Sequence, residues 1–219
     1  VNLIQASESG DLALVRTILA TEVNIDAVDD RGRTAVMAAT HGNHPAVVNV
    51  LIEAGANIHI QDNMRDNPFL YAGAEGLLKI LRLTIAAGPN TKLVNRYGGS
   101  ALIPACHHGY PDCVMELLTT TDVNIDHVNN LGWTALIEAV ILSDGGPVHQ
   151  RIVQILVDHG ADLSIGDIDG VTALEHARSR GYVEMVRILS SSAIIAGSVS
   201  IPALIAKPQG AYIETLLGL

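Results

Sequence analysis

The stretch NLGWTALIEA, residues 130–139, sets a glycine, a hydroxyl two positions later, and an apolar run that closes on alanine. The same order recurs as DRGRTAVMAA (30–39), RYGGSALIPA (96–105) and DIDGVTALEHA (167–177), with a degenerate copy, NMRDNPFLYA (63–72). Measured at the glycine position, Gly32, Arg65, Gly98, Gly132 and Gly170 are 33, 33, 34 and 38 residues apart. Self-similarity at such a period is the mark of a stacked repeat architecture, in which one supersecondary unit is used again and again.

A second block follows each first one: HPAVVNVLIEAGANI, LLKILRLTIAAGPN, YPDCVMELLTTTDVNI, IVQILVDHGADL and YVEMVRILSS. Before the first full copy, IQASESGDLALVRTILATEVNI supplies a helix pair without the leading turn. The hydroxyls Thr34, Ser100, Thr134 and Thr172, with Asn67 standing in, sit where a turn becomes a short helix A and are predicted to cap it. Pro104, as about the fourth residue of its helix, costs little because first-turn amides have no intrahelical acceptor. After helix A, Asn43, Gly76, Gly109 and Gly181 mark a chain reversal that needs φ > 0. A longer helix B follows, with apolar residues such as Val47, Val48, Val50 and Leu51 at helical spacing.

Read together, the blocks give a half-repeat at 1–28 and repeats near 29–61, 62–94, 95–128, 129–166 and 167–190, with an apolar tail at 191–219. They resemble the ankyrin repeat, whose pattern runs D-x-x-G-x-T-P-L-H-x-A-A, then G-H, V-V-x-L-L and G-A-D-V-N. The resemblance spans roughly residues 2–190. It implies an all-α solenoid of stacked helix-turn-helix units, with β-turn or hairpin fingers beside the short helices. It also implies a concave groove that grips protein partners.

Composition agrees and excludes alternatives. Hydrophobic residues make up 48% of the 219, aromatics only 3%, which suits many thin, closely packed layers. A net charge of −10 without a Lys or Arg run opposes nucleic-acid binding. No apolar run of about 18 residues predicts a membrane span. Two cysteines are too few for a disulfide framework, so a reducing, cytoplasmic setting is expected, or a periplasmic or secreted one if a leader has been removed.

The stretch ALIPACHHGYPDC (101–113) looks like a reactive cluster, but the register disperses it. Cys106 falls in the small row of helix A and Cys113 in the apolar row of helix B, so both are expected as packed thiols. His107 and His108 fall at the end of helix A and are expected to point outward at the groove rim. The remaining histidines form no H-E-x-x-H, and nucleotide-binding and hydrolase signatures are missing. The chain therefore predicts no enzyme and calls for no cofactor. Glu138 and Asp144 read as a solvated groove residue and a turn residue rather than a carboxylate pair.

Carried onto this chain, the groove positions that the resemblance implies for a protein partner are Met64, Arg96, Tyr97, Leu131 and Trp133 on the fingers. Tyr71, His107, His108 and Glu138 join them from the helices. Trp, Tyr and Arg dominate interface energetics, so the strip reads as a hot spot or, alternatively, as aromatic cover for adjacent turns. A second function stays open: a small-ligand or metal-responsive module using the groove histidines and the inserted segment AVILSDGGPVHQR (139–151). That insertion is expected to protrude, as a contact loop or a neutral extension. The tail reads as a lid on the last repeat, a segment docking in its own or another molecule's groove, hence a route to self-association, or an appended stretch.

Overall fold

The computed structural model describes residues 2–195, with side chains for 2–191. Among them are twelve helices in pairs: α1 Leu3–Glu8 and α2 Leu12–Leu19, α3 Ala35–His41 and α4 Pro45–Glu53, α5 Pro68–Ala74 and α6 Leu78–Ala86, α7 Leu102–His107 and α8 Pro111–Thr120, α9 Ala135–Ile141 and α10 Pro147–Asp158, α11 Ala173–Ser179 and α12 Val183–Ile195. Short helices stack on short helices (α1, α3, α5, α7, α9, α11) and long on long (α2, α4, α6, α8, α10, α12). Each pair is too small to bury its own apolar face. Neighbouring pairs therefore share one continuous core running from Leu3 to Leu189. The tail readings concern residues that, beyond 195, lie outside the described part.

Local signals explain most helix boundaries. Thr34, Asn67, Thr134 and Thr172 accept from the amides of Met37, Leu70, Ile137 and Glu175. Asn43, Gly76, Gly109 and Gly181 all have positive φ, as the reversal requires. Cys106 and Cys113 are buried in the predicted rows, and burial pushes both thiols up, Cys113 to about 11.

Ser100 departs from the expectation. Its helix, α7, begins two residues later at Leu102 and has no side-chain cap, which leaves Pro104 as its third residue. In the other repeats the residue four beyond the cap closes the first turn, as in Ala38 N to Thr34 O at 2.9 Å and Glu138 N to Thr134 O at 3.0 Å. Proline has no N–H for that bond, so the first turn at Ser100 does not close. The cost of Pro104 is thus a shorter helix.

The insertion is also partly absorbed rather than wholly protruding. From the capping position to the start of helix B there are 11 residues in four of the repeats (Thr34 to Pro45, Asn67 to Leu78, Ser100 to Pro111, Thr172 to Val183) but 13 between Thr134 and Pro147. The remaining excess lengthens α10 to 12 residues, against 9 in α4 and α6. Pro147 sits at the N1 position and starts that helix, where its missing N–H costs nothing.

Each finger is a tight turn built on one Asp or Asn. Asp29, Asp62, Asn95, Asn129 and Asp167 each accept two backbone amides through Oδ1, for example from Leu131 at 2.9 Å and Trp133 at 3.0 Å onto Asn129. Backbone bonds then join fingers in pairs: Asn63 N to Arg31 O and Asn130 N to Tyr97 O, both 2.9 Å. Glycine at 32 and 98 permits this approach, since a Cβ at Gly98 would lie 2.3 Å from Asn130 Oδ1. The second finger carries Arg65 instead, at φ 61, and among the described residues no backbone bond joins it to the third. Replacing Arg65 with Gly removes left-handed strain and is expected to stabilise the protein by about 1 kcal/mol. A urea midpoint that falls would refute this.

Candidate groove interface

The predicted positions separate into two rows. On the finger tips, Arg96 links neighbours: its guanidinium donates to Tyr97 Oη at 2.7 Å and to Met64 Sδ at 3.2 Å, and it lies 4.5 Å from the Tyr97 ring centroid. Tyr97 is 53% exposed and Met64 45%, which is unusual for side chains of this size. Leu131 is on the next finger, tied to Tyr97 by the Asn130 bond, and is half-buried. Trp133 sits at the base of that finger, partly buried against the core. Met64, Arg96, Tyr97 and Leu131 therefore form one surface on three successive fingers, with Trp133 behind it.

The second row lies on the short helices, four residues after each cap. Tyr71 occupies that place on α5 and stacks on His41 of α3 with ring centroids 4.0 Å apart. Glu138 occupies it on α9 and faces His107 of α7, with Oε2 3.9 Å from His107 Nδ1. Contrary to the expectation of a solvated residue, Glu138 is buried, 6% exposed. The Asn129 amide donates to its Oε1 at 2.7 Å, which lowers the carboxyl's pKa, but desolvation outweighs this and pushes it up to about 7. Desolvation, together with His108 and His149, pushes His107 down to about 4, so its ring is neutral at pH 7.

His108 does not belong to either row. Its Nδ1 donates to Ala74 O at 2.6 Å, across the repeat boundary. The same link recurs as His44 Nε2 to Glu8 O at 3.0 Å, His149 Nε2 to His107 O at 2.8 Å and Tyr182 Oη to Ser143 O at 2.7 Å. Carbonyls at or just beyond a helix end have no intrahelical donor, and these rings supply one. Among the described residues no three His, Cys, Asp or Glu side chains converge to hold a metal ion. No helix among them is long and apolar enough to cross a membrane.

Sequence reasoning missed the pairing between finger and helix. The second polar atom of three of the five Asx residues reaches a matched partner: Asp29 to Arg33 at 2.8 Å, Asn129 to Glu138 at 2.7 Å, Asp167 to His176 at 2.6 Å. Arg33, on the first finger, is only 6% exposed and also bridges to Glu8 at 2.7 Å. The signal was present, since an acid faces a base wherever the turn residue is Asp in these pairs, and an amide stands where the helix offers Glu.

A stack of helix pairs with projecting turns and a groove between turns and short helices defines a class of interaction scaffold, and this chain belongs to the ankyrin-repeat family. The family model for ankyrin repeats (3 copies) matches residues 3–90 and 69–167. The chain is 42% identical over 184 residues to the putative ankyrin repeat protein YahD of Escherichia coli (strain K12), covering 84% of this chain and 92% of that one. In structure it is similar to an ankyrin repeat domain from Acinetobacter baumannii AYE, with TM-score 0.84, 47% identity, and coverage of 87% and 96% of the two chains. It is also similar to a chain in the structure of the predatory endopeptidase Bd0816 from Bdellovibrio bacteriovorus in complex with immunity protein Bd3460, with TM-score 0.74, 25% identity, and coverage of 86% and 96%.

Proposed function

We propose that this chain is a non-enzymatic scaffold that holds a protein partner in its concave groove. Met64, Arg96, Tyr97 and Leu131 make the outer contact and Trp133, Tyr71 and Glu138 the inner one. The observation that carries the reading is the exposed Tyr97, preorganised by Arg96 across from Met64. A rigid aromatic with a hydrogen-bonding end and an arginine beside it is the side-chain chemistry in which binding energy concentrates. Ankyrin repeats generally serve as protein-interaction modules, and a similar fold occurs within a complex of an endopeptidase and an immunity protein.

The test is a double substitution, Tyr97→Ala with Trp133→Ala, in the immobilised protein used for affinity capture from cell extract. Species held by the wild type are expected to disappear, each truncation costing about 2 kcal/mol or more of binding. Far-ultraviolet circular dichroism should be unchanged, because Tyr97 is on a turn and Trp133 precedes α9. Capture that survives the double substitution moves the interface away from this strip.

A further inference from the structure

Building on the groove reading, we infer that the partner presents an extended segment with two Lys or Arg side chains, five or six residues apart, one directed to Asp62 and Asp66 and the other to Glu138. The carboxylates in the middle of the groove lack the close basic partner that their counterparts have. At the first finger Arg33 neutralises Asp29 and Glu8 at 2.8 and 2.7 Å. At the last, His176 meets Asp167 at 2.6 Å.

At the two intermediate places a histidine stands too far away for a hydrogen bond. His41 Nε2 is 3.8 Å from Asp62 Oδ2, and His107 Nδ1 is 3.9 Å from Glu138 Oε2. Burial pushes both histidines below their ordinary range, so neither ring supplies a charge at pH 7. Asp62 and Glu138 are themselves 8% and 6% exposed, and among the described residues no donor reaches Oε2 of Glu138. Beside Asp62, burial and the Asp62 charge push Asp66 up to about 6, with Arg96 only partly opposing them and Glu75 adding to the repulsion. The Tyr71 phenol feels Glu75, Asp66 and Asp62 and offers its ring to the same incoming cation.

The spacing follows from the stack. Helix α5 packs on α7 and α7 on α9. Two interhelical steps of 8–10 Å put the acidic places about 16–20 Å apart. An extended chain covers that in about five or six residues, at roughly 3.3 Å each.

The experiment uses fluorescein-labelled Gly/Ser peptides bearing two Arg six positions apart, two Arg at adjacent positions, or two Gln six positions apart, titrated by anisotropy at low ionic strength. The six-spaced Arg peptide is expected to bind about tenfold tighter than the adjacent one. Glu138→Gln and Asp66→Asn should each weaken it about tenfold, since a desolvated charge pair loses one member. Glu138→Gln keeps the acceptor for Asn129, so its fold is retained.

Affinity that ignores spacing or Glu138→Gln overturns the proposal, as does spermine binding equally tightly, which would make the occupant a free polyamine. If no Arg peptide binds while Tyr97→Ala with Trp133→Ala still abolishes capture from extract, the cationic assignment fails and the groove reading stands. If the Arg peptides bind as expected but the double substitution leaves capture intact, the cationic place is real and the finger-tip contact is wrong.

Discussion

Glu138→Gln is expected to stabilise the protein by about 2–3 kcal/mol at about pH 8, and the gain should vanish as the pH falls toward about 4.5. The cause is desolvation, which pushes the Glu138 carboxyl from 4.5 in the unfolded chain up to about 7 in the fold. A carboxyl whose pKa is raised on folding leaves the folded state at a disadvantage above that pKa. The stability it withholds returns as protons bind between about pH 7 and about pH 4.5. Gln carries no charge and retains an oxygen for the Asn129 amide, so it escapes the penalty throughout. Urea unfolding of both proteins at the two pH values decides the matter. A variant less stable than wild type at the higher pH would mean that Glu138 finds a cation in the folded protein after all.

Asn129→Asp should act in the opposite direction, with a loss of about 3–5 kcal/mol at about pH 8. The substitution keeps Oδ1, so the bonds from the Leu131 and Trp133 amides survive, and Asp already makes the same turn at 29, 62 and 167. It replaces the donor 2.7 Å from Glu138 with a second carboxylate. Two buried carboxylates at that distance cannot both ionise. Acidification should recover much of the loss, because one proton shared between them restores a hydrogen bond. Adding Glu138→His recreates the matched pair seen at Asp167 and His176 and should rescue stability at neutral pH. Fluorescence of Trp133, the single tryptophan, reports unfolding of this finger directly. Equal stability of the single variant and wild type would refute the matching.

The repeat register was legible because it depends on short-range chemistry that recurs. Thr34, Asn67, Thr134 and Thr172 cap where expected, and the positive-φ positions fell at Asn43, Gly76, Gly109 and Gly181. Ser100 misled because the bond that Pro104 cannot make decides where α7 begins, and that bond lies four residues from the cap. The burial of Glu138 and Arg33 was not legible from periodicity alone. Both sit at positions that face the groove or its edge, and their exposure is set by side chains arriving from the neighbouring repeat. His108 shows the same limit: adjacency to His107 suggested a shared role, while its partner, the Ala74 carbonyl, is 34 residues away.

The finger row, stitched in twos, gives the solenoid an uneven compliance. Backbone bonds clamp the first finger to the second and the third to the fourth. At Arg65, among the described residues, the bonds that cross are made by side chains, Arg96 to Met64 and Gln61 to the Val94 carbonyl. Flexible side chains stretch more readily than a backbone bond, so within the strip from Tyr71 to Trp133 the arc of the groove changes its curvature first at this joint. The Tyr71 end and the Trp133 end of the strip lie on opposite sides of it. A ligand touching both can draw the two clamped halves together, so the width of the groove is set partly by what fills it.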